Sequence, residues 1–286
     1  MTTFRRVLVT GAAGRLGSAV VAALAEKGVQ ATGLDRRPAD GPDRMVVADA
    51  TDQSGVDRAF EDVDAVIHAA ALASPTLAPP VELFTSNSVS TFTVLEAAVR
   101  HGVRRIAFAS SFSITGLPRG SQRPSFLPID ESSPLQIEDV YALTKQVDEC
   151  SGRMLAAASG ASITALRFPL LGSPDRELGA AVERYLVDEG SGAGDLWSYL
   201  DTRDAAAAMV RALERAQPGF RALYVAAPTT LAQRPTEDLL DRWLPGVPRG
   251  RVFPGRETPI STDAARAHLG FEPVHVLDPA RLRERA

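Results

Sequence analysis

The hydrophobic positions of the chain fall into two rhythms. Short runs of apolar and β-branched residues, at Arg6–Thr10, Gln30–Asp35, 45–48 and Ala65–His68, alternate with longer alanine-rich stretches at 15–27 and 52–60. The short runs predict strands and the longer ones predict amphipathic helices. The alternation continues with a predicted helix over 83–101, a strand over 105–109, a helix over 140–158 and a strand over Ser162–Phe168. Six strands or more, separated by helices, imply βαβ units and a parallel sheet covered on both faces. From Gly172 the pattern turns irregular, with a short strand expected over 196–200 and a helix over 204–215. Nine of the 20 prolines lie from Pro218 onward, and they separate the last segments. The expected fold class is therefore α/β, a doubly wound parallel sheet in residues 1–168. Residues 169–286 mainly form a smaller lobe, with some segments returning to the sheet. The alanine clusters at 156–158 and 205–208 read as close helix packing.

The first strand runs directly into a glycine-rich turn, Thr10-Gly-Ala-Ala-Gly-Arg-Leu-Gly17, and the turn opens a helix. In that setting Gly11 can make the tight turn, Gly14 lets the backbone approach a pyrophosphate, and Gly17 lets helix and strand pack closely. The spacing is G-x-x-G-x-x-G rather than G-x-G-x-x-G, which points to a different branch of dinucleotide binders. Asp35 ends the second strand about 20 residues later, where an acid hydrogen-bonds adenosine ribose hydroxyls and so favours NAD. Arg36 and Arg37 follow at once, and a guanidinium there could receive a 2'-phosphate, which leaves NADP open.

Further along, Tyr141-Ala-Leu-Thr-Lys145 opens a helix, and the i, i+4 spacing puts phenol and ammonium on one face. A nearby cation favours a phenolate, the form able to accept a substrate proton. The run Ala109-Ser-Ser-Phe-Ser-Ile-Thr-Gly116 leaves the fifth strand at what should be the carboxyl edge of the sheet, where ligands of open α/β sheets bind. Ser111 can there bond a hydroxyl or carbonyl oxygen. His68 reads as structural, because an imidazole at a strand end needs little to be satisfied. His101, His268 and His275 form no metal-ligand spacing with carboxylates. Cys150, the single cysteine, reads as buried packing on the helix of Tyr141 and Lys145.

Composition adds exclusions. The 286 residues are 45% hydrophobic and 23% charged, with a formal net charge of -4. That balance supplies no global basic field, so nucleic acid and anionic membranes are poor candidate partners. No apolar run approaches the roughly 18 residues of a membrane span, and 1–6 does not begin a signal peptide. A cytoplasmic protein is expected, since one cysteine also excludes an internal disulfide framework.

Taken together, the glycine turn, Asp35, Asp49-Ala-Thr-Asp52, His68-Ala-Ala-Ala71, Asn87, Phe108-Ala-Ser-Ser111, Tyr141 to Lys145 and Trp197-Ser-Tyr-Leu-Asp-Thr-Arg-Asp204 resemble the extended short-chain dehydrogenase/reductase superfamily, the NAD-dependent epimerase/dehydratase branch. The resemblance covers nearly the whole chain. It implies a Rossmann fold with a small C-terminal substrate-binding lobe. It also implies a cofactor site built from Gly11, Ala13, Gly14, Arg15, Leu16, Gly17, Asp35 and Arg36, with Asp49 and Ala50 at the adenine. Ala69, Ala70 and Ala71 would line the groove, with Asn87 supporting it from its helix, and Phe168, Pro169 and Leu170 would meet the carboxamide. Ser111 would orient the reacting oxygen, Tyr141 would act as acid/base, and Lys145 would serve the phenol and the ribose together. Ser74, Ser111, Phe112, Ser113 and Tyr141 are the expected substrate contacts, and a homodimer through the helices at 83–101 and 140–158 is implied.

Departures from the branch narrow the reaction. Its dehydratases place an Asp-Glu pair after the catalytic Ser or Thr, whereas Ser111 is followed by Phe112 and Ser113. Its nucleotide-sugar epimerases commonly have a tyrosine at the position of Thr115, an asparagine motif after the sixth strand, and an arginine where Asp195 aligns. A carboxylate at Asp195 repels a diphosphate rather than clamping it. The modest length of the irregular region argues in the same direction. The expected activity is that of an NAD(P)-dependent dehydrogenase of a small sugar acid, polyol or secondary alcohol, with some similarity to uronate dehydrogenases. A sugar or nucleotide-sugar epimerase and a non-catalytic dinucleotide-binding sensor are the alternatives. The pocket walls fall in irregular segments at 74–80, 118–134 and 172–197, which name no substrate.

Overall fold

The computed structural model describes residues 4–119 and 121–283; the first three residues of the segment read for a signal peptide lie outside the described residues. Nine strands and nine α-helices follow one another among them. In chain order the first half comprises β1 (Arg6–Thr10), α1 (Arg15–Glu26), β2 (Gln30–Asp35), β3 (Arg44–Val47), α2 (Gln53–Ala59), β4 (Ala65–His68), α3 (Pro80–Arg100), β5 (Arg105–Ser111), α4 (Val140–Ser159) and β6 (Ser162–Phe168). The remainder comprises β7 (Leu170–Gly172), α5 (Gly179–Val187), β8 (Tyr199–Asp201), α6 (Thr202–Glu214), β9 (Gly219–Tyr224), α7 (Thr236–Trp243), α8 (Asp263–Leu269) and α9 (Pro279–Arg283). Seven strands form one sheet in the order β3-β2-β1-β4-β5-β6-β9.

That order contains the feature that positions a ligand. The chain leaves β1 toward β2 and β3 on one side, then returns to place β4 on the other, so β1 and β4 flank the topological switch point. The pairing is parallel, and Thr10 stands opposite both Leu34 and His68. Gly11, Asp35 and Ala69 therefore emerge side by side at one edge of the sheet. Both faces of the sheet are covered: every residue of β4 and of β6 is buried, including the polar Ser162, Thr164 and Arg167 of β6. In α1 the buried positions are Gly17, Val20, Val21 and Leu24, the spacing of a single helical stripe.

The chain groups into two compact units. The first comprises Met1–Ser110, Leu143–Leu166 and Ala206–Ala222, and its core joins Leu8, Leu34, Val66, Ile106 and Phe108 with Val94, Leu95 and Ile163. The second comprises Ser111–Ala142, Arg167–Ala205 and Leu223–Ala286, and it has a separate core around Phe112, Trp197, Tyr199, Tyr224 and Phe253. Its small sheet pairs β7 with β8 in parallel. His275 is fixed there by Asp204, which accepts from its backbone N–H and bonds its ring Nδ1 at 2.8 Å each.

Three expectations are corrected. Cys150 is exposed, because it lies on the outer face of α4 while Asp148 and Glu149 face inward. Of the alanines at 156–158 only Ala156 is buried, whereas Ala205, Ala206 and Ala208 do pack closely in α6. The strand expected from 196 begins only at Tyr199, since Leu196 and Trp197 have φ of 53° and 52°. Those left-handed residues form a turn held by the buried indole of Trp197, which donates to the Glu189 carbonyl at 2.7 Å.

Candidate active site

The turn after β1 is built around positions that only glycine can fill. Gly11 has φ +70°, and a Cβ there would stand 2.7 Å from the Ala70 nitrogen. At Gly17 a Cβ would lie 2.0 Å from the Gly11 carbonyl oxygen. Helix and strand therefore approach at backbone contact. Gly14 caps α1 without any side-chain hydrogen bond, and no acid occupies the first helical turn. The positive end of the α1 dipole therefore meets no side-chain cap or acid, which suits an anion.

Asp35 closes β2 beside that turn. Its carboxylate accepts from Ala13 N at 3.1 Å and from Arg37 N at 3.0 Å, which fixes it over the glycine loop. The Arg37 guanidinium reaches back to the Ala13 carbonyl at 3.5 Å, and Arg36 approaches Asp49 at 4.0 Å. Asp49 is set by its own short turn, accepting from Thr51 N and Oγ1 at 2.9 and 2.8 Å. A cavity of about 360 Å³ collects these groups, lined by Gly11, Gly14, Asp35, Arg36, Asp49, Ala50 and Ala69 to Ala71 among others. Ser86 and Ser90 of α3 also line it and were missed. Their four-residue spacing on one helix face is the signal that could have found them. Ala13, Arg15, Leu16, Gly17 and Asn87 do not line this cavity. Asn87 acts from behind: its amide accepts from Leu72 N at 2.8 Å and donates to Leu72 O at 3.1 Å, clamping the segment that follows Ala69 to Ala71.

The expected reacting residues lie at the end of β5 and in the first turns of α4. Asp139 accepts from Ala142 N at 2.9 Å and starts the helix. Tyr141 is largely buried in its first turn, and Lys145 follows one turn later at 3% exposure. Lys145 Nζ donates to the Ala109 carbonyl at 3.1 Å, tying the helix to the strand that ends in Ser111. Ser111 is half-buried and caps a short 3-10 turn by accepting from Ser113 N at 3.1 Å. Phe112, expected at the substrate, is instead a core residue packed edge-on against Tyr224. Its side of the 3-10 turn faces the apolar interior of the second unit. Ser113 is buried, while Ser74 is half-buried and bonded to Thr76 at 2.9 Å. Phe168 is buried at the end of β6, Pro169 follows it, and Leu170 begins β7.

His68 is held between two threonines, with Nδ1 at 2.7 Å from Thr10 Oγ1 and Nε2 at 3.1 Å from Thr91 Oγ1. Burial, aided by the Lys145 charge, lowers its pKa to about 3, so the ring is neutral. The structural reading of His68 fits this arrangement.

Residues 7–226 match the NAD dependent epimerase/dehydratase family. The chain belongs to this family. Among curated relatives of this NAD-dependent epimerase/dehydratase chain is a UDP-glucose 4-epimerase of Azospirillum brasilense, 33% identical over 57% of this chain and 48% of its own length. A uronate dehydrogenase of Pseudomonas syringae pv. tomato is 34% identical over 52% of this chain and 53% of its own. The chain thus spans about half the length of these curated relatives. A solved short-chain dehydrogenase/reductase superfamily protein from Agrobacterium tumefaciens, crystallised with bound NAD, is 28% identical with a TM-score of 0.73, covering 99% of this chain and 96% of that one.

NAD is the family's cofactor, and the residues present fit it. The turn leaves no room for a Cβ at Gly11 or Gly17, the end of α1 is uncapped, and Asp35 is already oriented beside it. No helix of the described residues is long and apolar enough to cross a membrane.

Proposed function

We propose that the protein is an NAD-dependent dehydrogenase acting on a small hydroxy or keto compound, of the sugar-acid, polyol or secondary-alcohol class. The observation that carries this reading is the buried Lys145, bonded to the Ala109 carbonyl two residues before Ser111 and one helical turn from Tyr141. Bound NAD supplies the hydride acceptor. Gly11 and Gly14 with the α1 N-terminus hold its pyrophosphate, Gly17 lets the helix pack against the turn, and Asp35 holds the adenosine ribose. Asp49 and Ala50 meet the adenine, and Phe168, Pro169 and Leu170 meet the carboxamide. Ser111 bonds the reacting oxygen, Tyr141 takes the hydroxyl proton, and Lys145 holds the nicotinamide ribose and favours the phenolate.

Dehydrogenation is favoured over dehydration because Phe112 and Ser113 stand where an acid-base pair is needed, and both are buried without an ionisable group. It is favoured over nucleotide-sugar epimerisation by Asp195. Burial raises the pKa of that carboxyl while Arg184 and Arg119 pull it down, so two arginines already answer its charge. A carboxyl thus stands at the position where such epimerases commonly have an arginine. Epimerisation is the second reading, favoured by relatives that are UDP-glucose 4-epimerases. The test is net NADH formation from a panel of sugar acids, polyols and secondary alcohols. A dehydrogenase accumulates NADH, whereas an epimerase recycles it.

A homodimer through α3 and α4 is part of the proposal. Val81, Phe84, Val89 and Phe92 of α3 and Leu143 and Met154 of α4 are exposed apolar side chains, suited to covering by a second copy of the same helices. Light scattering at micromolar concentration should give twice the mass of one chain, and a monomer would remove this element.

A further inference from the structure

Lys145 does not stand alone in the interior. Its ammonium is 3.1 Å from Asp148 Oδ2, and the two side chains are 3% and 0% exposed. The second oxygen of Asp148 is buried without a hydrogen-bond partner among the described residues. Asp148 therefore gives up hydration, and its ion pair with the lysine is the charged interaction it receives in return. Around the pair, β4 contributes the neutral His68, whose ring bonds Thr91 of α3; burial raises the pKa of Asp148, while the Lys145 charge and hydrogen bond, and then the Thr91 hydroxyl, favour its charged form. From α4 itself Glu149 faces inward, but it is engaged by the Ser110 hydroxyl at 2.7 Å. From β5 the Ala109 carbonyl, a dipole without a full charge, accepts from Lys145.

We propose that Asp148 is a positioning residue for the reaction: it keeps Lys145 charged in a buried setting and fixes the direction of its ammonium. Burial disfavours an ammonium, and an adjacent anion restores it. A lysine that lost its proton would neither favour a phenolate nor donate fully to ribose hydroxyls. The Ala109 carbonyl sets the reach of Nζ, and Asp148 sets its charge. The inference rests on the role given to Lys145 in the proposed dehydrogenase, but the charge coupling can be read without substrate or cofactor.

The chain has only two lysines, Lys27 and Lys145. Protein labelled with lysine carrying 13C at the ε carbon therefore gives two signals, and Lys27→Arg identifies the one from Lys145. In Asp148→Asn the titration midpoint of the Lys145 signal should fall by about 1–3 pH units. Asp148→Glu should restore most of that loss, which a purely structural role of the side chain does not predict. The alkaline limb of the turnover profile should move to lower pH in step with the signal. An unchanged or raised midpoint in folded Asp148→Asn overturns the proposal. Should that variant fail to fold, Asp148→Ser gives the same reading, because its hydroxyl can bond the carbonyl one turn back in α4. If the midpoint falls and NAD is reduced by no compound of the panel, the coupling stands and the reaction assignment fails.

Discussion

His68 offers a stability prediction whose size follows from its surroundings. The ring is fully buried, bonded to Thr10 and Thr91, and has its pKa lowered from 6.5 to about 3 by burial and, secondarily, by the Lys145 charge. In the unfolded chain the same imidazole takes up a proton near its ordinary value. Between about pH 6.5 and about pH 3 the unfolded state therefore binds one more proton than the folded state, and stability falls as pH falls. The contribution is fully present above this window. Each pH unit within it removes about 1.4 kcal/mol, so going from about pH 6.5 to about pH 5 removes about 2 kcal/mol through this one residue. The assay is urea unfolding at neutral pH and at about pH 5, for the wild type and for His68→Gln, whose amide can still donate to one threonine and accept from the other. The wild type should lose about 2 kcal/mol more than the variant on acidification. The variant comparison matters because other buried groups also titrate: burial raises the pKa of the Asp148 and Asp195 carboxyls, which works in the opposite direction. Equal losses in the two proteins would refute a neutral, buried His68.

Asp35→Ala should weaken NAD binding about tenfold, the value of one lost hydrogen bond to a charged group, while NADP binding, supported by Arg36 and Arg37, falls less; equal losses measured by titration calorimetry would remove Asp35 from the ribose. Gly17→Ala places a methyl 2.0 Å from the Gly11 carbonyl oxygen, and it should cost about 1–3 kcal/mol of stability together with most of the NAD affinity. Unfolding midpoints and NAD titration check both effects. Phe112→Ala should cost about 3–5 kcal/mol, as expected for an aromatic side chain removed from a packed core; a loss below about 1 kcal/mol in denaturant unfolding would return Phe112 to the surface.

The parts legible in the sequence are those set by short stretches of chain. The strands β1, β2, β4 and β6 read correctly because strands covered on both faces carry short runs rich in apolar and β-branched residues, and the turn read correctly because its glycines obey a backbone constraint. The Tyr141 to Lys145 spacing was visible for the same reason, since helix geometry alone puts those residues on one face. What escaped depends on which way a residue faces once the fold is formed. Phe112 follows Ser111 by one position yet points into a core whose other members, Trp197 and Tyr224, lie far along the chain. Cys150 sits two positions from Asp148 on the same helix, and the hydrophobic pattern makes it look the better candidate for burial; the fold buries the carboxylate because Lys145 is there to meet it. The turn at Leu196 and Trp197 was hidden too, because left-handed backbone is ordinarily a glycine property and these residues adopt it under the packing of a buried indole.

The most direct test of the central claim is the fate of NAD in the presence of candidate substrates. With a sugar acid, polyol or secondary alcohol from the panel, the wild type should convert NAD to NADH in proportion to substrate consumed. Tyr141→Phe should be at least about 100-fold slower while binding NAD normally. Interconversion of UDP-glucose and its 4-epimer without net NADH, or turnover undiminished in Tyr141→Phe, would contradict the account.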